Sequence, residues 1–196
     1  MKENLILIFV KNPALGKVKT RLAEGIGNEK ALEVYLNLLA ITEKVTQEIP
    51  NATLHVYFSD HQEEKYWGSQ KQFIQQGKDL GEKMLDAFER GFDLGFKNII
   101  GIGSDLPDLS RKIIQDAFEI LKEKDTIFGP AKDGGYYLLG MKQVHQCIFQ
   151  NKAWSTCHLL EDTVNDLERH KISFSKNLPL LNDIDTPEDL FTSSLT

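Results

Sequence analysis

The first segment of the sequence that could do chemistry is a run of basic residues near the amino terminus. It carries four positive charges and no negative one, in a chain whose formal net charge is −6: Lys11-Asn12-Pro13-Ala14-Leu15-Gly16-Lys17-Val18-Lys19-Thr20-Arg21. Pro13 and Gly16 favour a turn, and clustered lysine and arginine side chains suit the phosphates of a nucleotide. The segment therefore predicts an anion-binding loop, with a solvated basic turn as the alternative.

The spacing within this basic loop excludes two common phosphate-binding motifs. A Walker A loop ending at Gly16-Lys17 would need glycine at the position of Lys11, and no G-x-G-x-x-G motif follows the first apolar run. The sequence therefore disfavours an ATPase and a dinucleotide-dependent oxidoreductase.

A second segment, Gly103-Ser104-Asp105-Leu106-Pro107, places a carboxylate directly after an apolar run. Mg²⁺ prefers one or two carboxylates together with phosphate oxygens, so Asp105 is a candidate metal ligand. The alternative is a turn or capping residue before Pro107. Ser104 is not a hydrolase nucleophile, because G-x-S-x-G would require glycine at the positions of Ile102 and Leu106.

Two further segments carry acidic residues in tight turns or extended chain. Asp133-Gly134-Gly135 lies between two strand-like runs, which predicts either a hairpin or a turn whose backbone a ligand can approach closely. Asp183 and Asp185 alternate along an extended segment, so both can face one cation. The Thr186-Pro187 pair that follows predicts the start of a helix.

Alternating apolar runs and helical patterns must position these residues. The predicted strands are Leu5–Val10, Leu54–Phe58, Ile99–Ile102, Thr126–Phe128 and Tyr136–Leu139. Helices are predicted after Asn28, Asp79, Ser110 and either Ser155 or Thr156, each as a helix cap. This alternation indicates an α/β fold with a mostly parallel sheet and a single domain over residues 1–196. Ligands of such sheets bind at the carboxyl ends of the strands, which is where the four segments lie.

Composition excludes several classes of protein. With 23 basic and 29 acidic residues and a pI near 5.4, the chain is too acidic for a general nucleic-acid or anionic-membrane binder. Its longest apolar run is far shorter than the roughly 20 residues that span a bilayer, and no signal peptide is recognisable, so we expect a cytoplasmic protein. Two cysteines build no disulfide framework, and no zinc spacing is present.

These motifs, in order, resemble the DUF2064 family, bacterial proteins labelled as glycosyltransferases. The similarity spans nearly the whole chain, and the segments that carry it are Phe9–Leu22, Gln76-Gly77, Asp79–Met84, Gly103–Pro107, Gly129–Ala131, Asp133–Leu138, Trp154–Thr156 and Asp183–Pro187. The resemblance implies a GT-A-like fold, the α/β/α sandwich of nucleotide-diphospho-sugar transferases. It implies transfer of a sugar from a nucleoside-diphosphate sugar to a small-molecule acceptor, without nucleic acid.

The resemblance also implies roles for individual residues. The implied nucleotide-binding residues are Phe9, Lys11, Gly16, Lys17, Lys19, Arg21, Gln76 and Ser104. The implied ligands of Mg²⁺ or Mn²⁺ are Asp105 and Asp185, with Asp183 as a further ligand. Asp105 and Asp133 are the predicted catalytic residues, with Asp133 as general base. The acceptor side comprises Gly134, Gly135, Trp154, Ser155 and Thr156.

Two other functions remain open from the sequence. Nucleotidylyltransferases of the same superfamily, including guanylyltransferases, share the basic loop and the metal aspartate, but typically carry a G-G-x-S-x-R-M loop around a triphosphate. Here Pro13-Ala14-Leu15-Gly16 is poor in glycine, which favours a diphosphate-sugar donor. A non-catalytic nucleotide-binding protein is the third possibility, and the sequence leaves the oligomeric state undetermined.

Overall fold

A single sheet of seven strands organises residues 3–195, the part of the chain that this computed structural model describes. The strands are β1 (Asn4–Val10), β2 (Ala52–Phe58), β3 (Lys71–Ile74), β4 (Asn98–Ile102), β5 (Thr126–Pro130), β6 (Tyr136–Met141) and β7 (Phe174–Ser175). Their order is β3-β2-β1-β4-β6-β5-β7, and only β6 runs antiparallel to its neighbours. The predicted α/β class with a mostly parallel sheet is confirmed.

Helices cover both faces of this sheet. They are α1 (Thr20–Ile26), α2 (Asn28–Gln47), α3 (Leu80–Asp93), α4 (Arg111–Glu123), α5 (Leu159–Arg169) and α6 (Pro187–Thr192), with a short 3-10 helix at Gln146–Ile148. In β1, Ile6 and Ile8 pack in one core with residues of α2 and α4, whereas Leu5 and Leu7 pack in the other with residues of α3 and α5. A strand buried on both faces needs apolar residues at every position, which explains the uniformly apolar run.

Three of the expected helix caps are present. The Asp79 side chain accepts a hydrogen bond from the Glu82 N–H, and the Ser110 hydroxyl accepts one from the Ile113 N–H. Thr186 forms a full capping box with Asp189 at the start of α6. Each cap satisfies a backbone donor that the first helical turn leaves unpaired.

The other two expected caps are wrong. Helix α2 already includes Asn28, and Gly27, with φ of 86°, precedes it. Helix α5 begins only at Leu159, after a series of turns in which Ser155 has a left-handed φ of 62°. The Thr156 hydroxyl donates back to the Ala153 carbonyl instead of capping a helix. Turns over residues 154–158 therefore occupy the positions where the sequence predicted the helix to begin.

The carboxyl-terminal segment before α6 lies beside the ends of β4 and β5. The Leu181 N–H donates to the Pro130 carbonyl, and the Ile184 N–H lies 3.5 Å from the Asp105 carbonyl oxygen. The Ile184 side chain is fully buried in a small core with Leu22 and Leu38. This segment thereby reaches the same sheet edge as the basic loop. No helix among the described residues is long and apolar enough to cross a membrane.

Candidate functional site

Three carboxylates meet at the carboxyl edge of the sheet. Asp105 follows β4, whereas Asp183 and Asp185 lie just before α6, and carboxylate oxygens of the three lie within 4.8 Å of one another. The buried Ile184 side chain between them leaves Asp183 and Asp185 facing the same cluster, as alternation along an extended segment predicted. We refer to Asp105, Asp183 and Asp185 as the acidic cluster.

The capping box of α6 fixes one member of the acidic cluster. The Asp189 carboxylate accepts hydrogen bonds from the Asp185 N–H at 3.2 Å and the Thr186 N–H at 2.7 Å. The backbone that carries the Asp185 side chain is therefore held by the same interactions that start the helix. The motif thus starts helix α6 and also holds Asp185 at the acidic cluster.

Lys19 lies inside the acidic cluster. Its Nζ is 3.0 Å from both Asp105 Oδ2 and Asp185 Oδ1, and its side chain is only 5% exposed. Burial alone would lower the pKa of Lys19, but the charges of Asp105 and Asp185 outweigh it and raise that pKa above its ordinary value. Arg21, which is 72% exposed, adds a second cation 3.6 Å from Asp185 Oδ2.

Asp183 is the least favourably placed carboxylate of the acidic cluster. Burial, followed by the like charges of Asp105 and Asp185, raises its pKa to about 6. Close carboxylates with partly buried side chains resist simultaneous ionisation, so the cluster attracts cations.

A polar cleft of about 330 Å³ opens on the basic side of Asp105. Most of the predicted nucleotide and metal residues lie together here, and the lining comprises Phe9, Lys11, Val18, Lys19, Thr20, Arg21, Tyr35, Gly103, Ser104, Asp105 and Asp185. Three predicted nucleotide residues lie outside its lining: Gly16, Lys17 and Gln76, all exposed. Their roles remain predictions.

Two residues that position the basic loop were not identified from the sequence. The Tyr35 hydroxyl of α2 donates to the Lys11 carbonyl at 2.7 Å and accepts from the Lys11 N–H at 3.1 Å. The buried Asn12 side chain accepts from the Asp60 N–H and donates to the His61 carbonyl, both at 2.8 Å. Asn12 thus ties the basic loop to the loop after β2. In the sequence, Asn12 is an asparagine two residues after a predicted strand and looks like any turn asparagine, so its role could not be recognised there.

An apolar cavity of about 220 Å³ lies on the other side of Asp105. Aromatic and aliphatic side chains dominate its wall, which comprises Phe9, Leu80, Met84, Gly101, Ile102, Gly103, Asp105, Leu106, Ala131, Asp133, Gly135, Tyr136, Tyr137, Leu139, Trp154, Ser155, Leu159 and Asp183. Phe9, Gly103 and Asp105 line both the cavity and the cleft.

The Asp133-Gly134-Gly135 turn connects β5 and β6, so the hairpin interpretation is confirmed. Asp133 Oδ1 accepts from the Gly135 N–H at 2.8 Å and closes the turn. Gly134 has a φ of 89°, and a Cβ there would collide with the Cys157 carbonyl oxygen, so its role is close packing. Gly135 lines the apolar cavity, whereas Gly134 does not. Only one of the two glycines therefore faces the cavity.

Residues 154–156, which we call the Trp154 segment, contribute to the wall of the apolar cavity. Trp154 and Ser155 contribute to the lining, whereas Thr156 is exposed and lies outside it. A Cβ on Gly81 would approach the Trp154 ring to 2.7 Å, so glycine at that position of α3 allows the indole to pack closely. Of the predicted acceptor-side residues, three therefore line the cavity: Gly135, Trp154 and Ser155.

The acidic cluster has the donor chemistry of a divalent-cation site. Three carboxylates offer the oxygen ligands that Mg²⁺ and Mn²⁺ prefer, and the Lys19 ammonium already occupies a position between two of them. The cluster could therefore hold a metal ion, although nothing in the chain identifies which one.

Comparisons with known proteins agree on the class of fold. The chain is 34% identical to a protein from Desulfovibrio desulfuricans G20, named as a candidate nucleotide-diphospho-sugar transferase, with a TM-score of 0.88 over 93% of this chain and 82% of that one. It is 25% identical to a 2-phospho-L-lactate guanylyltransferase from Methanocaldococcus sp. FS406-22, over 93% of this chain and 78% of the relative.

A more distant structure shares the fold and contains ligands. Glucosyl-3-phosphoglycerate synthase from Mycobacterium tuberculosis, solved with Mn²⁺ and UDP, has a TM-score of 0.58 at 7% identity, over 96% of this chain and 74% of that one. The fold is therefore that of the nucleotide-diphospho-sugar transferases, and the similar proteins are transferases. Residues 42–156 match the family described as "Uncharacterized protein conserved in bacteria (DUF2064)", and the chain belongs to that family.

Proposed function

We propose that this protein transfers a glycosyl group from a nucleoside-diphosphate sugar to a small-molecule acceptor, with the help of a divalent cation. The observation that carries the proposal is the position of Asp105, which lines both the polar cleft and the apolar cavity. A donor whose diphosphate lies in the cleft and an acceptor in the cavity would meet at this residue. Its proposed partners are these two small molecules, and its proposed location is the cytoplasm.

The polar cleft supplies the groups that a diphosphate requires. Lys11, Lys19 and Arg21 offer positive charge, and Ser104 offers a hydroxyl, all on its lining. Asp105 and Asp185, with Asp183 beside them, would hold Mg²⁺ or Mn²⁺. When bound, the cation would neutralise charge that develops on the departing nucleoside diphosphate.

The chain's own residues would then control the transfer. The acceptor oxygen forms a bond to the anomeric carbon, while the bond from that carbon to the diphosphate oxygen breaks and its electron pair leaves with the nucleoside diphosphate. The proton of the acceptor hydroxyl passes to Asp133, an exposed carboxylate at the rim of the apolar cavity, as general base. The aromatic wall limits access of water that would otherwise hydrolyse the donor.

The basic loop favours a diphosphate over a triphosphate. Triphosphate-binding loops surround their ligand with free backbone N–H groups. Here the Lys11 N–H donates to Tyr35, the Asn12 N–H to Ser59 and the Lys17 N–H to Ala14. Three amides of the loop are therefore used within the protein and are not free to bind a triphosphate.

Nucleotidyl transfer is the second candidate, and the similarity to guanylyltransferases over 93% of the chain favours it. In that reaction the acceptor attacks a nucleoside triphosphate and pyrophosphate leaves. The same cleft and acidic cluster could serve both reactions, because one fold supports several chemistries.

The identity of the product distinguishes the two reactions. We would first find the preferred nucleotide by thermal shift with Mn²⁺, since a ligand at 100 times its dissociation constant adds about 2.7 kcal/mol and should raise the melting temperature by roughly 5–10 °C. The protein is then incubated with the matching nucleotide sugar, or with the triphosphate and a sugar or acid phosphate.

The proposal predicts slow release of nucleoside diphosphate from the nucleotide sugar, even without acceptor, because water can take the acceptor's place. Pyrophosphate released only from the triphosphate mixtures would establish nucleotidyl transfer instead. Binding without any product would support the non-catalytic alternative.

A further inference from the structure

The apolar cavity is lined by negatively charged side chains and by no positively charged one among the described residues. Its polar groups include three carboxylates, those of Asp105, Asp133 and Asp183. Of the residues between 3 and 195 that line it, none is lysine, arginine or histidine. The cations of the site lie in the polar cleft, on the other side of Asp105.

We infer that this cavity binds a small alcohol or amine that carries a flat, apolar ring and no negative charge. The claim that this molecule is the acceptor of the transfer rests on the proposed function, whereas the claim that the cavity binds it does not. The inference has two parts, one from the charge of the cavity and one from the shape of its wall.

A bound divalent cation would not turn the cavity into an anion site. The acidic cluster carries three negative charges when it is ionised, and Lys19 together with one divalent cation balances them. Arg21, the other cation beside Asp185, is 72% exposed and lines the cleft but not the cavity. Asp133 has no cationic partner among the ion pairs of residues 3–195 and adds a further negative charge. A phosphate or carboxylate in the cavity would therefore lose its hydration and meet like charge.

The wall of the cavity suits a flat ring. Phe9, Tyr136, Tyr137 and Trp154 all contribute aromatic surface, and Tyr136 and Trp154 lie edge to face with their ring centroids 6.5 Å apart. Aromatic rings stack on such surfaces, and a cationic amine gains further from the faces of the rings. A hydroxyl or ammonium on the ligand could reach the carboxylates at the polar end.

The same features argue against the acid that the curated relatives use. Their name gives 2-phospho-L-lactate, which bears a phosphate and a carboxylate. Such a molecule needs paired cations, which this cavity does not provide. The chain therefore differs from those relatives in the class of its second substrate.

A matched series of three probes tests this inference without nucleotide or metal. Tyrosol, tyramine and 4-hydroxyphenylacetate share a hydroxyphenyl ring and a short side chain that ends in a hydroxyl, an ammonium or a carboxylate. Binding to the wild-type protein is measured near neutral pH by ligand-observed NMR, with glucose as a polar ring of similar size. We expect tyrosol and tyramine to bind at least about tenfold more tightly than the carboxylate, which corresponds to about 1.4 kcal/mol.

Two variants locate the binding. Trp154→Leu should weaken tyrosol several-fold, whereas Phe191→Leu, at a residue that is 82% exposed on α6 and outside the cavity, should not. Asp133→Asn should reduce the difference in affinity between tyramine and 4-hydroxyphenylacetate. If Trp154→Leu does not fold, the probe series and Asp133→Asn still decide the question.

Tighter binding of the carboxylate, a preference for glucose, or binding of none of the probes would overturn the inference. Because no nucleotide is present, those results would leave the proposed glycosyl transfer untouched. Conversely, a result that excludes glycosyl transfer would not affect the predicted preference of the cavity for uncharged or cationic ring compounds.

Discussion

The polar cleft and the apolar cavity share one wall but differ in how they handle charge. The cleft combines Lys11, Lys19 and Arg21 with carboxylates, whereas the cavity has carboxylates and aromatic rings but no cation in its described lining. A diphosphate needs the first environment, and a reacting hydroxyl shielded from water needs the second. Under the proposed function, this difference would place the two substrates on opposite sides of Asp105.

Asp105→Asn should have the largest effect, because Asp105 belongs to both compartments. We expect turnover to fall by about 10²–10³-fold, the usual cost of removing one group that stabilises the developing charge. Nucleotide binding should also lose its dependence on Mn²⁺, while the protein stays folded because Asp185 still pairs with Lys19. Asp108→Asn, at an exposed residue outside cleft and cavity, is the control. Unfolding of the Asp105 variant, with metal-independent binding in the wild type, would make Asp105 a structural residue.

Lys19→Met should destabilise the protein when metal is removed by EDTA. The Lys19 side chain is buried, but its partners are about 40% exposed, so we expect a loss of about 2 kcal/mol rather than the 3–5 kcal/mol of a fully buried pair. Mn²⁺ should restore more stability to this variant than to the wild type, since a cation would replace the ammonium. Urea unfolding with and without Mn²⁺ measures both effects.

Lys112→Met provides the matched control for Lys19→Met, because Lys112 pairs with Asp116 on the exposed surface of α4. A surface pair contributes only about 0–1 kcal/mol. Equal losses in the two variants, or the same Mn²⁺ response in variant and wild type, would contradict a cation site at the acidic cluster.

Asp183→Asn should stabilise the metal-free protein at neutral pH. The folded-state pKa of about 6 lies above the usual carboxyl value, so the folded state binds more protons than the unfolded state between about pH 4 and 6. The contribution of Asp183 to stability is therefore favourable below this window and is lost as pH rises through 6. After allowance for solvent screening we expect a gain of about 1 kcal/mol at pH 7.

The pH dependence of the stability of Asp183→Asn tests the direction of the pKa shift of Asp183. The stability difference between Asp183→Asn and the wild type, from urea unfolding in EDTA, should shrink as pH falls from about 7 to about 4. A constant difference across this range would show that Asp183 ionises normally beside Asp105 and Asp185.

Arg21→Ala should have the smallest effect, a several-fold loss of nucleotide affinity that diminishes at high salt. Its guanidinium is mostly exposed, and screening by salt acts on exposed charges. Lys17→Ala is the comparison, because Lys17 lies outside the lining of the cleft. Calorimetric titration at two salt concentrations should show a smaller loss of nucleotide affinity for Lys17→Ala than for Arg21→Ala. Equal losses of affinity would indicate that the anion-binding surface includes the whole basic loop.

The sequence predicts the polar cleft better than the apolar cavity for a physical reason. Lys11, Lys19 and Arg21 lie in one short segment of the sequence, so their reversal of the chain's net charge is visible locally. The cavity combines residues of β1, α3, the β5–β6 hairpin and the Trp154 segment, and each of them resembles ordinary core or turn sequence. Only the fold brings these segments together.

The same contrast applies to individual elements. β1 was predicted because burial on both faces leaves a continuous apolar run, whereas β3 and β7 are short and partly exposed edge strands without such a signal. The ion pair between Lys19 and the acidic cluster joins residues 86 and 166 positions apart, so no local pattern reveals it.

A crystal structure with Mn²⁺ and the nucleoside diphosphate that gives the largest thermal shift would test the central claim most directly. We predict that the phosphates lie in the polar cleft against Lys19 and Arg21, that the ion binds Asp105 and Asp185, and that the apolar cavity stays open for a second molecule. Phosphates inside the apolar cavity, an ion bound away from the acidic cluster, or no shift with any nucleoside diphosphate would contradict the account.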